Sequence, residues 1–306
     1  MTKIAFKPCF ALEALGTLIF SQYYREDLAP AKDWVINNLS MYNVPAGNGP
    51  FSILVAKMSF EEIEKLSESD FSQILAEVFD KEFEDAPWHD DLLAGLRALK
   101  AEGFAKIWST ILYPILDQSC REFDRIVGED TKEAVIRDVC RVRGVASFPK
   151  VNVFITHFSD GISFQLTGSS FLTSTRSLDM VYFTKLIAHE LSHGFSTETT
   201  RNAYRRACET DPFLKETRKF LFNVIGSPSD EEEFVQAIDR FICVKNGVRK
   251  REEVVKSLSG EYRFSIPLTV IIFNELCELP DIPKDINEWI TTALSDGTVK
   301  IGKVAE

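Results

Sequence analysis

The sequence predicts an α+β fold that is predominantly helical, with a small β-sheet placed just ahead of one markedly apolar helix. Three observations predict it. Helical periodicity fills nearly all of the first 145 residues. Period-two alternation rich in β-branched residues appears between Phe148 and Thr175. Helical periodicity then returns and continues towards the end of the chain. With 306 residues, 45% hydrophobic and 26% charged, the chain can bury a full core, either as one continuous domain or as two regions, 1–145 and 146–306.

In chain order, two helical patterns run from Cys9 to Asn43, the second opened near Ala29-Pro30, since proline suits a first helical turn. Asn43 to Pro50 reads as a loop, and Phe51 to Met58 as a short apolar run that fits a strand or a helix entry equally. Ser59-Phe60-Glu61-Glu62 is a capping box, and Asp70-Phe71-Ser72-Gln73 is a similar start. Trp88 to Val127 is one long helical stretch, with Gly103 and Pro114 expected to break or kink it. Another helix spans Thr131 to Val142.

Val151, Val153 and Ile155 then alternate with Asn152, Phe154 and Thr156. Asp160-Gly161 predicts a hairpin turn into Ile162 to Leu166, and Ser170 to Thr175 is a third extended piece. Asp179 is placed to cap the helix that follows. Beyond it, helices are expected from Thr200 to Glu209 and from Asp211-Pro212 through Phe222. A further helix, opened by Ser227-Pro228, continues through Glu231, Glu232 and Glu233 to about Cys243, where Asn246-Gly247 ends it. Pro267 to Leu279 and Pro283 to Ala293 complete the set. The chain contains no internal repeat and no low-complexity segment.

Chemistry concentrates in Leu186 to Phe195. His189 and His193 are four residues apart, so at helical pitch both imidazoles leave one face and can grip one metal ion. Glu190 follows the first histidine, where its carboxylate can take a proton from an attacking water. This is the H-E-x-x-H arrangement. Only four histidines occur in the chain, so chance spacing is a poor explanation. Val181, Leu186, Ile187, Leu191 and Phe195 make the helix apolar on more than one side, as a helix threaded through a core is.

Composition narrows the partners. A net charge of -11 argues against nucleic acid, whose phosphates call for a basic surface. No run approaches the roughly 18 apolar residues of a membrane span. The six cysteines form no C-x-x-C pair and read as buried free thiols, which points to a cytoplasmic setting.

Two histidines are an incomplete site, because catalytic zinc usually takes three protein ligands and keeps a place for water. The metzincin pattern H-E-x-x-H-x-x-G-x-x-H is closed, since no histidine follows His193. A carboxylate from a later helix remains, and Glu231, Glu232 and Glu233 are the candidates. In a first turn such carboxylates also simply suit the helix dipole, and with Ser229 as cap Glu232 would be a capping-box residue. Glu231 lies on the face of Phe234, Val235 and Ile238. Glu232 shares a polar strip with Gln236 and Asp239, which could orient a ligand or a histidine. Glu233 stacks over the small Ala237. Glu232 is the choice, with Glu233 next and Glu198 and Glu209 as outsiders.

With its HELSH helix, a glutamate from a second helix (EEEFVQAI) and strands just before the motif, the chain resembles gluzincin-type zinc metallopeptidases. The likeness covers roughly residues 150 to 265, and it extends to uncharacterised bacterial families of zinc peptidases. The resemblance implies a zincin-like catalytic region in which a twisted sheet covers the motif helix and its edge strand binds extended peptide. It implies Zn²⁺ held by His189, His193 and Glu232, Glu190 as general base, and peptide or protein substrates. It also implies an oxyanion-stabilising tyrosine or histidine, for which Tyr262 is the candidate and Tyr204 and His157 are alternatives. Arg263 is a candidate partner for a substrate carboxylate. Competing readings are a non-catalytic binding module on the same scaffold and a zinc hydrolase of non-peptide amides or esters.

Overall fold

The structure, a computed structural model, describes residues 2–23, 29–126, 128–158, 163–167, 169–175, 179–225, 230–261 and 266–301. It is predominantly helical, with a small mixed sheet of four strands. The chain divides into two compact units, one of Lys3–Ile126 with Lys150–Leu178, the other of Met1–Thr2, Val127–Pro149 and Asp179–Glu306.

The first unit contains β1 (Lys3–Lys7), then α1 (Phe10–Ile19), α2 (Ala29–Asn38), α3 (Gly49–Lys57), α4 (Phe60–Lys65), α5 (Phe71–Asp80), α6 (His89–Ala101), α7 (Phe104–Ile107) and α8 (Tyr113–Ile126), and finally β2 (Lys150–Thr156), β3 (Phe164–Thr167) and β4 (Ser170–Ser174). The strand order is β1-β2-β4-β3. Central β2 runs parallel to both neighbours, pairing Ile4 with Val151 on one side and Val153 with Phe171 on the other. Its residues from Val153 to Thr156 are buried on both faces, as a central strand with parallel neighbours requires.

This arrangement departs from the sequence expectation in two ways. The amino-terminal region is not wholly helical, because Lys3–Lys7 is a strand that completes the sheet. Nor do β2 and β3 form a hairpin: β4 lies between them and pairs antiparallel with β3. Burial explains the order, since β2 is apolar on both faces and takes two strand neighbours rather than one exposed edge. The expected turn at Asp160-Gly161 lies outside the described residues.

Local signals account for the helices. Phe51 to Lys57 is helical, with Met58 as the extended cap residue and Pro50 in the first turn of α3. Ser59 and Glu62 close a reciprocal capping box on α4. Asp70 precedes α5, but its carboxylate accepts from Ser67 and Ser69 rather than capping the helix. Gly103 takes φ 78° and separates α6 from α7, and a π-helical turn, Trp108–Leu112, leads into α8 just before Pro114. Phe158 stacks on Phe20 and Phe51 with centroids 5.4 and 5.7 Å apart, directly over Gly16 of α1, where a side chain would meet the ring. Beside it, the fully buried Glu13 accepts from the His157 amide at 3.0 Å, and burial pushes its carboxyl up to about 8.

The second unit is helical: α9 (Glu129–Arg143), α10 (Met180–Ser192), α11 (Glu198–Thr210), α12 (Pro212–Ile225), α13 (Glu232–Lys245), α14 (Arg251–Glu261), α15 (Pro267–Cys277) and α16 (Ile286–Ser295). Asp179 caps α10 by accepting from the Tyr182 amide at 2.8 Å. α13 packs against α9, α10 and α15 and buries Phe234, Val235, Ile238, Phe241 and Ile242. The Ser227-Pro228 start and Ser229 lie outside the described residues. The described helix begins at Glu232, so Glu231 occupies the cap position and Glu232 the first turn, not the third place of a capping box. All six cysteines are free, five buried and Cys277 half-buried. Among the described residues, no helix is long and apolar enough to cross a membrane.

Candidate metal centre

α10 buries Phe183, Leu186, Ile187, Ala188 and Leu191 together with the polar Thr184, Glu190 and Ser192, which leaves one half-buried strip. His189 and His193 lie on that strip. The helix stops at Ser192, leaving His193 as its carboxyl-terminal cap residue, and Gly194 takes φ 77°, a left-handed turn that glycine adopts without steric cost. The guanidinium of Arg143, from α9, donates to the carbonyls of His193 and Leu191 and so satisfies exposed acceptors of the last turn.

The two imidazoles stand edge to face, with centroids 4.9 Å apart, and their Nε2 atoms are 3.2 Å from each other. Glu232 reaches the same place from α13, with Oε1 3.8 Å from His189 Nε2 and Oε2 3.8 Å from His193 Nε2. His189, His193 and Glu232 form a group that could hold a metal ion, their donor atoms all within 4.8 Å of one another. Gln236, one turn on, steadies Glu232 by donating to its carboxylate at 2.7 Å.

Both Nδ1 atoms face carboxylates. His189 Nδ1 is 2.9 Å from Asp239 and His193 Nδ1 is 3.2 Å from Glu231. Burial alone would raise the Asp239 carboxyl, but Arg240, the bond from His189 and Lys185 hold it below its ordinary value. Burial opposes ionisation of Glu231 in the same way, yet bonds from His193, the Ser196 hydroxyl and the Gly194 amide bring it down to about 2. Ionised carboxylates only accept, so each Nδ1 donates, and a neutral ring so held presents its lone pair at Nε2. In neutral rings so held, two Nε2 lone pairs lie 3.2 Å apart beside a carboxylate, an arrangement suited to a shared cation. The donor set, its spacing and its fixed tautomers therefore fit a bound metal ion.

Glu190 is nearly inaccessible, at 3% exposure. Burial raises its carboxyl above the ordinary range, and His189 and His193 partly offset that effect. The third acidic residue of the trio, Glu233, is directed elsewhere. It accepts from the Tyr204 hydroxyl at 2.9 Å and from the Leu268 amide, and burial pushes it up to about 7 against those bonds. Tyr204, an alternative for oxyanion stabilisation, thus has its hydroxyl committed to Glu233. His157 belongs to the other unit, where Nδ1 lies 2.8 Å from Thr175. Glu198 pairs with Arg201 and Arg205 on the surface, and Glu209 is exposed. Tyr262 and Arg263 lie outside the described residues.

Sequence reasoning left three contributions unassigned. Glu231 is one of the three ligand candidates and instead holds His193, from the cap position just ahead of the described helix. Ser196 and Arg143 carry no motif, and Arg143 is 50 residues from His193 in the chain. The polar strip shared by Glu232, Gln236 and Asp239 was the one signal that pointed to support for a histidine. Compared with family models, with curated proteins and with solved structures, the chain matches none.

Proposed function

We propose that the protein is a zinc-dependent hydrolase that cleaves peptide bonds, with His189, His193 and Glu232 as the ligands. The observation that carries this reading is the convergence of two Nε2 atoms and one carboxylate, with both Nδ1 atoms held by ionised carboxylates. Two imidazoles and a carboxylate are a donor set that leaves a fourth position open, as hydrolytic zinc sites require. When bound, the ion supplies Lewis acidity, which lowers the pKa of water towards neutrality and polarises a carbonyl oxygen.

The remaining work falls to the chain. Asp239 and Glu231 fix the two ring planes and keep the protons on Nδ1. Glu190 accepts the proton of the attacking water at its carboxylate and passes it to the leaving amine nitrogen. Its burial supports that role, because a carboxyl raised above its ordinary range is a stronger base. Tyr262 is the proposed donor to the developing oxyanion, on the sequence argument alone.

Metal analysis and one substitution test the reading. Purified protein is expected to hold one equivalent of zinc. Glu190→Gln is expected to keep the metal and lose about 100-fold or more of its hydrolysis of an unstructured peptide mixture. Wild-type protein without stoichiometric metal, or Glu190→Gln with undiminished hydrolysis, overturns it.

A further inference from the structure

Three consecutive carboxylates open α13, and each has a different destination. Glu231 holds His193, Glu232 faces both Nε2 atoms, and Glu233 turns away into the interior. Glu233 is 5% exposed, and among the described residues no basic side chain pairs with it. Instead both oxygens take neutral donors, the Tyr204 hydroxyl from α11 at 2.9 Å and the Leu268 amide at the start of α15. The Thr269 hydroxyl also donates to the Glu233 carbonyl at 3.2 Å. Residue 233 is therefore tied to two other helices at once.

A buried carboxylate is a costly way to fill that space, and an apolar side chain of similar volume would need no compensation. What the carboxylate adds is direction. The side chain of Glu232 is 30% exposed and sits in the first turn of its helix, where ends fray. Gln236 steadies its head, while its backbone is placed by the residues on either side. We propose that Glu233 and Tyr204 are positioning residues, which lock the first turn of α13 so that the Glu232 carboxylate is aimed at the two histidines. The inference rests on the metal-site reading above and concerns neither the reaction nor the substrate.

Zinc affinity, measured by competition with a chromophoric chelator, tests it on the full chain. Glu233→Met keeps the volume and removes both acceptors, and it is expected to weaken zinc binding about tenfold or more. Glu233→Gln can accept from the Leu268 amide while donating to the Tyr204 oxygen, so it is expected to stay within about threefold of wild type. Visible bands of the cobalt-loaded protein should change in Glu233→Met in the same sense as in Glu232→Gln. Wild-type affinity and an unaltered cobalt spectrum in Glu233→Met overturn the proposal, as does an equal loss in the methionine and glutamine variants. Should Glu233→Met fail to fold, Tyr204→Phe decides: a severalfold loss supports the tether and wild-type affinity overturns it. These outcomes leave the proposed function standing if wild-type protein binds one equivalent of metal. A wild-type protein that binds none overturns both.

Discussion

Glu13 offers a test of the buried interior in the sheet-bearing unit. Burial pushes its carboxyl up to about 8 in the folded protein, against an ordinary value of 4.5. The folded state therefore keeps a proton that the unfolded chain releases across that interval. Stability from this group is fully present below about pH 4.5 and is lost as pH rises through about 8. At about 1.4 kcal/mol per unit, the interval amounts to roughly 5 kcal/mol, an upper figure because buried sites relax and admit water. Glu13→Gln preserves an acceptor for the His157 amide and removes the titration. Urea unfolding followed by tryptophan fluorescence reports chiefly on this unit, since Trp34, Trp88 and Trp108 lie in it and Trp289 in the other. Relative to wild type, Glu13→Gln is expected to gain about 1 kcal/mol per pH unit between about pH 5 and about pH 8 and to level off above. A stability difference that is constant over that range would refute a neutral, buried Glu13.

Other substitutions give equally direct readings. Asp239→Asn, which takes the charged acceptor from His189 Nδ1, is expected to weaken zinc binding by at least about tenfold in a chelator competition, and unchanged affinity counts against the role given to Asp239. Removing the proposed zinc with a chelator should lower the thermal midpoint, because at a free metal concentration about 100 times Kd binding adds about 2.7 kcal/mol to the folded state. Gly16→Ala pushes a methyl group into the Phe158 ring and should cost about 1–3 kcal/mol in denaturant unfolding; no loss would mean that the ring repacks freely. Ser59→Ala dismantles the capping box of α4 and should cost about 1 kcal/mol by the same measurement.

The parts of the molecule legible in its sequence are those set by neighbours along the chain. The spacing of His189 and His193, the Asp179 cap, the Ser59 box and the break at Gly103 are all decided within a few residues. Glu232 is distinguished from Glu231 and Glu233 by its strip, and in the structure Gln236 bonds it while Asp239 bonds His189. Partners far apart in sequence left no such trace. Strand β1 is five residues long and meets β2 only after more than 140 intervening residues, so nothing near Lys3 announces its partner. The choice between a β2–β3 hairpin and an inserted β4 depends on burial of both faces of β2, a tertiary property. The tether between Glu233 and Tyr204 is likewise invisible, because a glutamate in a first helical turn looks ordinary whichever way it points.

The opening of α13 also sets what this chain can tolerate in descent or in engineering. From Glu231 to Asp239, successive side chains step about 100° around one axis, and four of those steps have been spent on fixed addresses: one histidine, the proposed metal position, the Tyr204 hydroxyl and the other histidine. A substitution in this segment removes one address, and at Glu233 loosens the aim of Glu232 as well, but it leaves the register of the helix intact. One inserted or deleted residue rotates all that follow, so that Asp239 no longer meets His189 while Glu231 still meets His193. The segment behaves as an indexed part, in which altered letters act locally and altered length acts on every later position.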